Sequence, residues 1–398
     1  SLFDGVDTLL SQRAERVAAA AAPARRAGLR RLAVVLRDYE RQAADIRAAF
    51  NPLDPGAIVP ALAAAATSLE TVAGALEAQD LPHGAAAAAL RDLHFPLADE
   101  IAELGDALRR AANVELDVVA DDEIVVPGQS FDLRLSVWNG GSEPVEAEAG
   151  PLLPPDWTAV PVPDPDAPAE GGLTVQPGDR AVVTWRVTVP RDATPTAPYF
   201  LDPAAPPAPG IDLYRWPDDP DVRGRPFAPD PVRGSFILRI ADAFVGAERD
   251  AAWVGVDRRA GEFRRPVRVV PPVAVTLDPG VAVLPLAGDR RTLTLTARVR
   301  SDAPDTIRGE LSLEGPAGWS VSPARVPLTL APGAGESAIS FQAMAPARVA
   351  AGEYAFTAAM RVGDRTHVLG YDIVDYPHID PRHLYRRARA AVEVFDVR

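Results

Sequence analysis

The stretch QPGDRAVVTWRVTVP, residues 176–190, decides how this chain folds. It opens on a Pro-Gly turn, places Val183, Trp185, Val187 and Val189 at every second position, and closes on proline. Period-two alternation bounded by turn residues is the pattern of a half-buried antiparallel strand. PPDWTAV (154–160) precedes it and ATPTAPYF (193–200) follows it. The same order returns as GPAGWSV (315–321), APGAGESAISFQAMAP (331–346) and VAAGEYAF (349–356). A Pro-x-x-Trp segment, a Pro-Gly turn, an alternating strand and a tyrosine-bearing strand thus occur twice. The chain is expected to contain two copies of one β-sandwich.

Working outward, SFDLRLSVWNGG (130–141) alternates Phe131, Leu133, Leu135 and Val137 inward and ends in an Asn-Gly-Gly turn. About seven short strands with turns every 8 to 12 residues fit each copy, as in an immunoglobulin-like sandwich. The first copy spans 114–272 and the second 273–375. An insertion at 201–234, LDPAAPPAPGIDLYRWPDDPDVRGRPFAPDPVRG, has no counterpart in the second copy. Its proline density excludes a central strand, so it reads as a surface loop or lid. RRPVRVVPPVAV (264–275) joins the copies and its prolines stiffen the joint.

Upstream of Val114 the period is helical. Leu90, Leu93, Leu97, Ile101, Leu104 and Leu108 fall on one face. A second stripe runs Ile58, Leu62, Leu69, Val72, Leu76, and a third Leu32, Val35, Tyr39, Ile46, Phe50. NPLDPG (51–56) and QDLPHG (79–84) break the helices. Three helices of about 20 to 28 residues, and a shorter one from about Val6 that stops at Pro23, are expected to pack as a bundle over 1–113. The fold class is therefore an N-terminal helical bundle followed by two tandem immunoglobulin-like antiparallel β-sandwiches. Residues 376–398 read as a linker and a strand leading toward a further domain.

Composition narrows the chemistry. The 398 residues include 41 prolines, about twice ordinary usage, which argues against an all-helical protein. There is no cysteine, so disulfides and thiolate sites are excluded. That suits an oxidising space, and an extracytoplasmic compartment, periplasmic or secreted, is favoured over the cytoplasm. The net charge is −14, with 12 arginines against 15 acids in residues 1–113 and 29 against 40 beyond. Such a balance disfavours nucleic acid as a partner. No run approaches the roughly 20 apolar residues of a membrane span. SLFDGVDTLL lacks the basic start of a signal peptide, so the chain reads as processed or cut from a longer one.

Candidate sites are few. DYPHIDPRHLYRR (375–387) holds His378 and His383 around Asp380, but five-residue spacing with Pro381 inside suits neither a helical pair nor a strand face, and the segment reads as a stiff joint. His83 and His94 would stand about 16 Å apart on one helix, too far for one ion. PDPDAPAE (163–170) and PDDPDVRG (217–224) offer carboxylates but no EF-hand loop. No G-x-S-x-G elbow occurs. No catalytic, cofactor-binding or metal-ligating residue is therefore assigned. Tyr214, Trp216 and Phe227, aromatic residues in a polar insertion, are the candidate carbohydrate-binding positions. The competing role is to pin that loop to its own sandwich. Trp157 and Trp319 hold equivalent repeat positions and are expected in the core.

YRWPDDPDVRGRPFAPD (214–230), the joint RRPVRVVPPVAV and the closing YPHIDPRHLYR (376–386) resemble the region downstream of the catalytic domain in large bacterial PIG-L (LmbE-like) deacetylases. SLFDGVDTLL resembles the segment that follows that domain. The repeats resemble the immunoglobulin-like domains associated with α-galactosidases. The resemblance implies a parent zinc-dependent hydrolase that removes N-acetyl groups from an amino sugar, with zinc held only in its catalytic domain. The His-Pro-Asp-Asp signature and the His-x-x-His pair of that family are absent here. The implied role is a non-catalytic accessory region that supports, orients or pairs the enzyme, its partners being its own catalytic domain and a second protomer. The alternative is a module that brings the enzyme to a glycan or cell-wall substrate.

Overall fold

The computed structural model describes residues 8–78, 84–163, 172–200, 222–286, 291–333, 336–376 and 378–396. Four helices come first: α1 (Leu10–Ala20), α2 (Pro23–Ala49), α3 (Val59–Glu77) and α4 (Ala85–Ala111), with a single 3-10 turn at Pro55–Ile58. Proline stands at the start of α2, where its missing N–H costs nothing. Pro96 lies inside α4, which continues through it. The stripe Ile58, Leu62, Leu69, Val72, Leu76 is buried throughout.

The stripe on α2 differs from expectation. Leu29, Ala33, Leu36, Tyr39 and Ile46 face the core, whereas Val35 and Phe50 are exposed. The difference arises because α2 meets α1 on one side and α3 on the other, so its buried face is set by two neighbours. One helical stretch, Pro55–Glu77, is long and apolar enough to cross a membrane by length and composition, although its sequence holds no unbroken apolar run of that length. In this fold it is a bundle helix, with Leu62, Leu69 and Val72 packed in the core.

The first sandwich sets a six-stranded sheet against a four-stranded one. In the first sheet Val114–Ala120 pairs with Ser130–Asn139, which pairs with Arg180–Thr188, all antiparallel. Phe131, Leu133, Leu135 and Val137 are buried as the alternation requires. The second sheet runs Leu173–Val175, Val145–Leu152, Arg233–Ile240, Ala243–Asp250. The bundle and this sandwich share one core. Arg109, buried at the end of α4, donates to the Val114 carbonyl and pairs with Asp106 at 2.8 Å.

The second sandwich repeats the order: Val273–Asp278, Thr292–Ser301 and Ser337–Met344 form one sheet with Ser320–Ser322. The opposing sheet includes Gly352–Val362, Ile307–Glu314 and Arg325–Leu330. The two copies depart from each other at two places. ATPTAPYF is not a strand in the first copy; the strand equivalent to Gly352–Val362 is Arg233–Ile240, beyond the insertion. In the second copy the chain turns back after Val362 to pair Arg365–His367 with the same strand, then leaves the sheet, forms a hairpin from Leu369–Tyr376 and Ile379–Arg387, and returns.

That return differs from the expected linker over 376–398. Arg389–Phe395 pairs antiparallel with Gly352–Val362 and parallel with Val281–Pro285, inside the second sandwich. Ala390, Val392 and Val394 are buried in its core. The apolar face of this strand is satisfied by the sandwich itself, which places the sandwich boundary beyond 375.

Candidate functional site

The residues singled out from the sequence do not converge. Tyr214, Trp216 and His83 lie outside the described residues. Phe227 is half exposed, and the Arg382 guanidinium sits over its ring at 4.1 Å from the centroid. One face of the ring is thereby taken by a cation from the second sandwich's hairpin, an attraction of aromatic quadrupole and charge. His94 is exposed on α4. His378 is exposed and stacks on Tyr376, with centroids 6.0 Å apart, while His383 is buried. Among the described residues no group of three or more histidines, aspartates or glutamates could hold a metal ion. Trp157 and Trp319 occupy matching places at the edge of each core, Trp157 edge-on to Phe131 at 6.4 Å and Trp319 edge-on to Phe356 at 5.2 Å.

What the fold does bring together is a cluster at the joint between the sandwiches. The short strand Arg268–Val269 pairs parallel with Ile124–Val125, so the connector is held by the first sandwich. Arg268 is 7% exposed and donates to Asp230 at 2.6 Å. From the hairpin, Tyr385 donates its hydroxyl to the Val269 carbonyl at 3.1 Å. Tyr371 donates to Asp302 at 3.0 Å, and Arg300, itself 3.2 Å from Asp302, covers the Tyr371 ring at 4.4 Å. Arg365 reaches across to the Arg191 carbonyl at 2.6 Å.

His383 stands in the middle, edge-on to Tyr371 at 4.9 Å and stacked on Tyr385 at 6.4 Å. It is 5% exposed, and neither ring nitrogen has a hydrogen-bond partner. Burial first, then the nearby Arg268 and Arg300 charges, push its pKa down to about 4. Burial likewise pushes the Tyr371 and Tyr385 hydroxyls well above their usual range, with Asp302 adding to the rise at Tyr371. The imidazole is neutral near pH 7 because a third positive charge between two arginines would be poorly solvated.

Two clefts flank this cluster. One of about 50 Å³ lies between Phe227, Thr196, Arg268, Arg382 and His383. The other, about 400 Å³, is lined by Trp157, Asp156, Asp192, Thr194 and Val269. The first has room for little more than solvent; the second combines an aromatic wall with carboxylates and hydroxyls. Sequence reasoning passed over Tyr371, Arg300 and Asp302 altogether. His383 and Tyr385 share a strand face at a spacing of two, and that signal was masked by Pro381, which an edge strand tolerates.

The comparisons with known proteins bear on the two sandwiches. The family model described as "NPCBM-associated, NEW3 domain of alpha-galactosidase" matches residues 125–201 and 286–363. One match falls in each sandwich, in step with the repeat seen in the sequence. That description ties the matched domain to α-galactosidase, and both segments similar to it lie in immunoglobulin-like sandwiches of this chain. The likeness to PIG-L deacetylases has no counterpart in these matches. No curated protein matches the chain. Solved structures similar to it include Escherichia coli α2-macroglobulin, at 13% identity and a TM-score of 0.23 over 71% of this chain and 17% of that one. Red sea bream transglutaminase is similar at 14% identity and a TM-score of 0.27, over 76% of this chain and 35% of that one. The chain thus spans about a sixth and about a third of their lengths.

Proposed function

We propose that this chain is a non-catalytic accessory region that holds a glycan-processing catalytic domain in a fixed orientation. The observation that carries the reading is the joint: the Tyr385 hydroxyl on the Val269 carbonyl, the Arg365 guanidinium on the Arg191 carbonyl and Arg382 over the Phe227 ring all reach from the second sandwich to the first, where a free linker would serve mere tethering. Such a joint resists bending, because opening it breaks the Tyr385 and Arg365 hydrogen bonds together and exposes the buried His383 ring. The family matches support a glycoside context for the partner enzyme. The narrower identification, a zinc-dependent deacetylase of N-acetyl amino sugars, rests on the motif resemblance alone.

The absence of cysteine gives a clean test. Val256→Cys and Val281→Cys, at exposed positions in the two sandwiches, accept spin labels without background. Pulsed electron resonance is expected to give a narrow distance distribution. A broad one in this otherwise unaltered chain refutes the orienting role. Turnover of N-acetylglucosamine substrates by the purified chain with added zinc refutes the non-catalytic reading.

A second reading, glycan binding, draws on the cleft beside Trp157, whose aromatic wall and polar lining suit a sugar. Titration with chitin-type oligosaccharides tests it, Trp157→Phe and Trp216→Ala separating that cleft from the insertion. No binding at millimolar concentration removes the reading.

A further inference from the structure

The helical region contains a slot with the dimensions of a helix. Helices α2 and α4 run 27 residues each and α3 runs 19, but α1 has only 11. Helix α1 packs against both α2 and α4, opposite α3, and thereby holds them a helix-width apart. Its polar contacts fix its level: Glu15 pairs with Arg37 at 3.1 Å, and Ser11 donates from its hydroxyl to Glu40 at 2.7 Å. Helix α1 therefore starts beside Glu40, and among the described residues no fourth helix lies against the far half of α2, from Tyr39 onward.

What remains there is a groove of about 510 Å³. Its floor is Ile58, Leu62 and Ala65, and its walls include Ala43, Ile46, Leu104 and Ala107. Eleven residues of helix from Tyr39 to Ala49 make it about 16 Å long, the span of three helical turns. Its ends differ in charge. Tyr39, which donates to Glu100, stands with Glu103 at the end next to α1, and Arg47 stands toward the other. Neither Glu103 nor Arg47 has an ion-pair partner among the described residues. Phe50 is 52% and Leu53 92% exposed beside the open end.

We propose that this groove receives an amphipathic helix of about three turns from a partner protein. The chemistry follows from the walls. Helix α1 fills its half of the slot with Leu10, Ala14, Val17 and Ala18, so the occupant presents leucine and small apolar residues at the same three- and four-residue spacing. It lies end to end with α1 and in the same direction. Its C-terminal turn then abuts Glu100 and Glu103 and carries arginine or lysine, which also suits the helix dipole. Its N-terminal turn carries a carboxylate toward Arg47. This inference rests on the bundle alone and is independent of the accessory role of the sandwiches.

The test uses the full chain and a labelled, capped 14-residue peptide with an alanine–leucine face, two glutamates at its N-terminal end and two arginines at its C-terminal end. Fluorescence anisotropy is expected to show saturable binding, several-fold weaker for a twin with the charges exchanged. Ala107→Arg places a charged side chain in the groove from an exposed position and is expected to weaken binding at least about tenfold. Glu100→Gln with Glu103→Gln is expected to abolish the preference over the twin. Failure of the peptide to bind, or equal binding to the Ala107→Arg chain, overturns the proposal. So does binding that appears only after residues 1–8 are deleted, which would make this chain's own start the occupant. Concentration-dependent dimerisation that Ala107→Arg removes would make it a second copy, and overturns the proposal as well.

Discussion

Replacing His383 by phenylalanine is expected to remove a pH dependence from the joint between the sandwiches. The folded imidazole has a pKa near 4, lowered by burial and then by Arg268 and Arg300, whereas an unfolded histidine titrates near 6.5. Between those values the unfolded chain binds a proton that the folded chain excludes, so stability rises with pH across the window. Moving from pH 7.5 to pH 5.0 is then expected to weaken the joint by about 2 kcal/mol, and below the folded pKa the loss levels off. Phenylalanine keeps the ring between Tyr371 and Tyr385 and leaves no unpaired nitrogen, so the variant at pH 7.5 is expected to be as stable as the parent or slightly more so. Hydrogen exchange of the amides in Leu369–Arg387, corrected for intrinsic rates, reads the opening free energy of the hairpin directly. The parent is expected to lose about 2 kcal/mol between the two pH values and His383→Phe to lose little. Asp250, whose pKa is raised by burial first and then by Asp230, acts with the opposite sign and is common to both proteins. Equal pH dependence in parent and variant refutes the reasoning.

Three further substitutions and one control probe the same architecture. Arg268→Met strands Asp230, whose side chain is 22% exposed, and is expected to cost about 2–3 kcal/mol in thermal melts, less than for a wholly buried pair. Gly370→Ala brings a Cβ within 2.4 Å of the Val275 carbonyl oxygen, so the hairpin must lift from the strand beneath it at a cost of about 1–3 kcal/mol. Gly246→Ala, with nothing within 4 Å, is the neutral control in the same thermal melts. Arg109→Met removes the buried donor that ties α4 to the Val114 carbonyl, and the helical circular dichroism signal is expected to melt ahead of the sheet signal after a loss of about 2 kcal/mol.

The repeat was legible because a strand with one buried face writes its period into the sequence. Phe131, Leu133, Leu135 and Val137 announce their strand without help from any partner. The closing strand was equally visible in period, Ala390, Val392 and Val394, but its place was not: it pairs with Gly352–Val362 across a hairpin of its own, and alternation does not encode which strand is the neighbour. On α2 the stripe Leu32, Val35, Tyr39 competed with Leu29, Leu36, Tyr39, and tertiary packing chose the second. The joint was least legible. Arg268, Asp230, Tyr371 and His383 come from segments that the prolines mark as irregular, and their meeting depends on how two sandwiches are set against each other.

The two departures from the repeat have a common consequence. In the first copy the chain wanders before the strand Arg233–Ile240; in the second it wanders after the equivalent strand, Gly352–Val362. Long insertions cost a sandwich little, because closure entropy grows only slowly with loop length. A loop that served only its own domain would pack on its own domain. Here the end of the first insertion supplies Phe227 and Asp230, the second excursion supplies Arg382, His383 and Tyr385, and these meet each other and Arg268. The parts that distinguish the copies are thus the parts that fix the angle between them. Without the excursions the repeats would meet only through the six residues 267–272, their pairing with Ile124–Val125 and the small apolar contact of Val126, Val270, Ala274 and Ala303; the excursions widen that contact into a polar and aromatic interface.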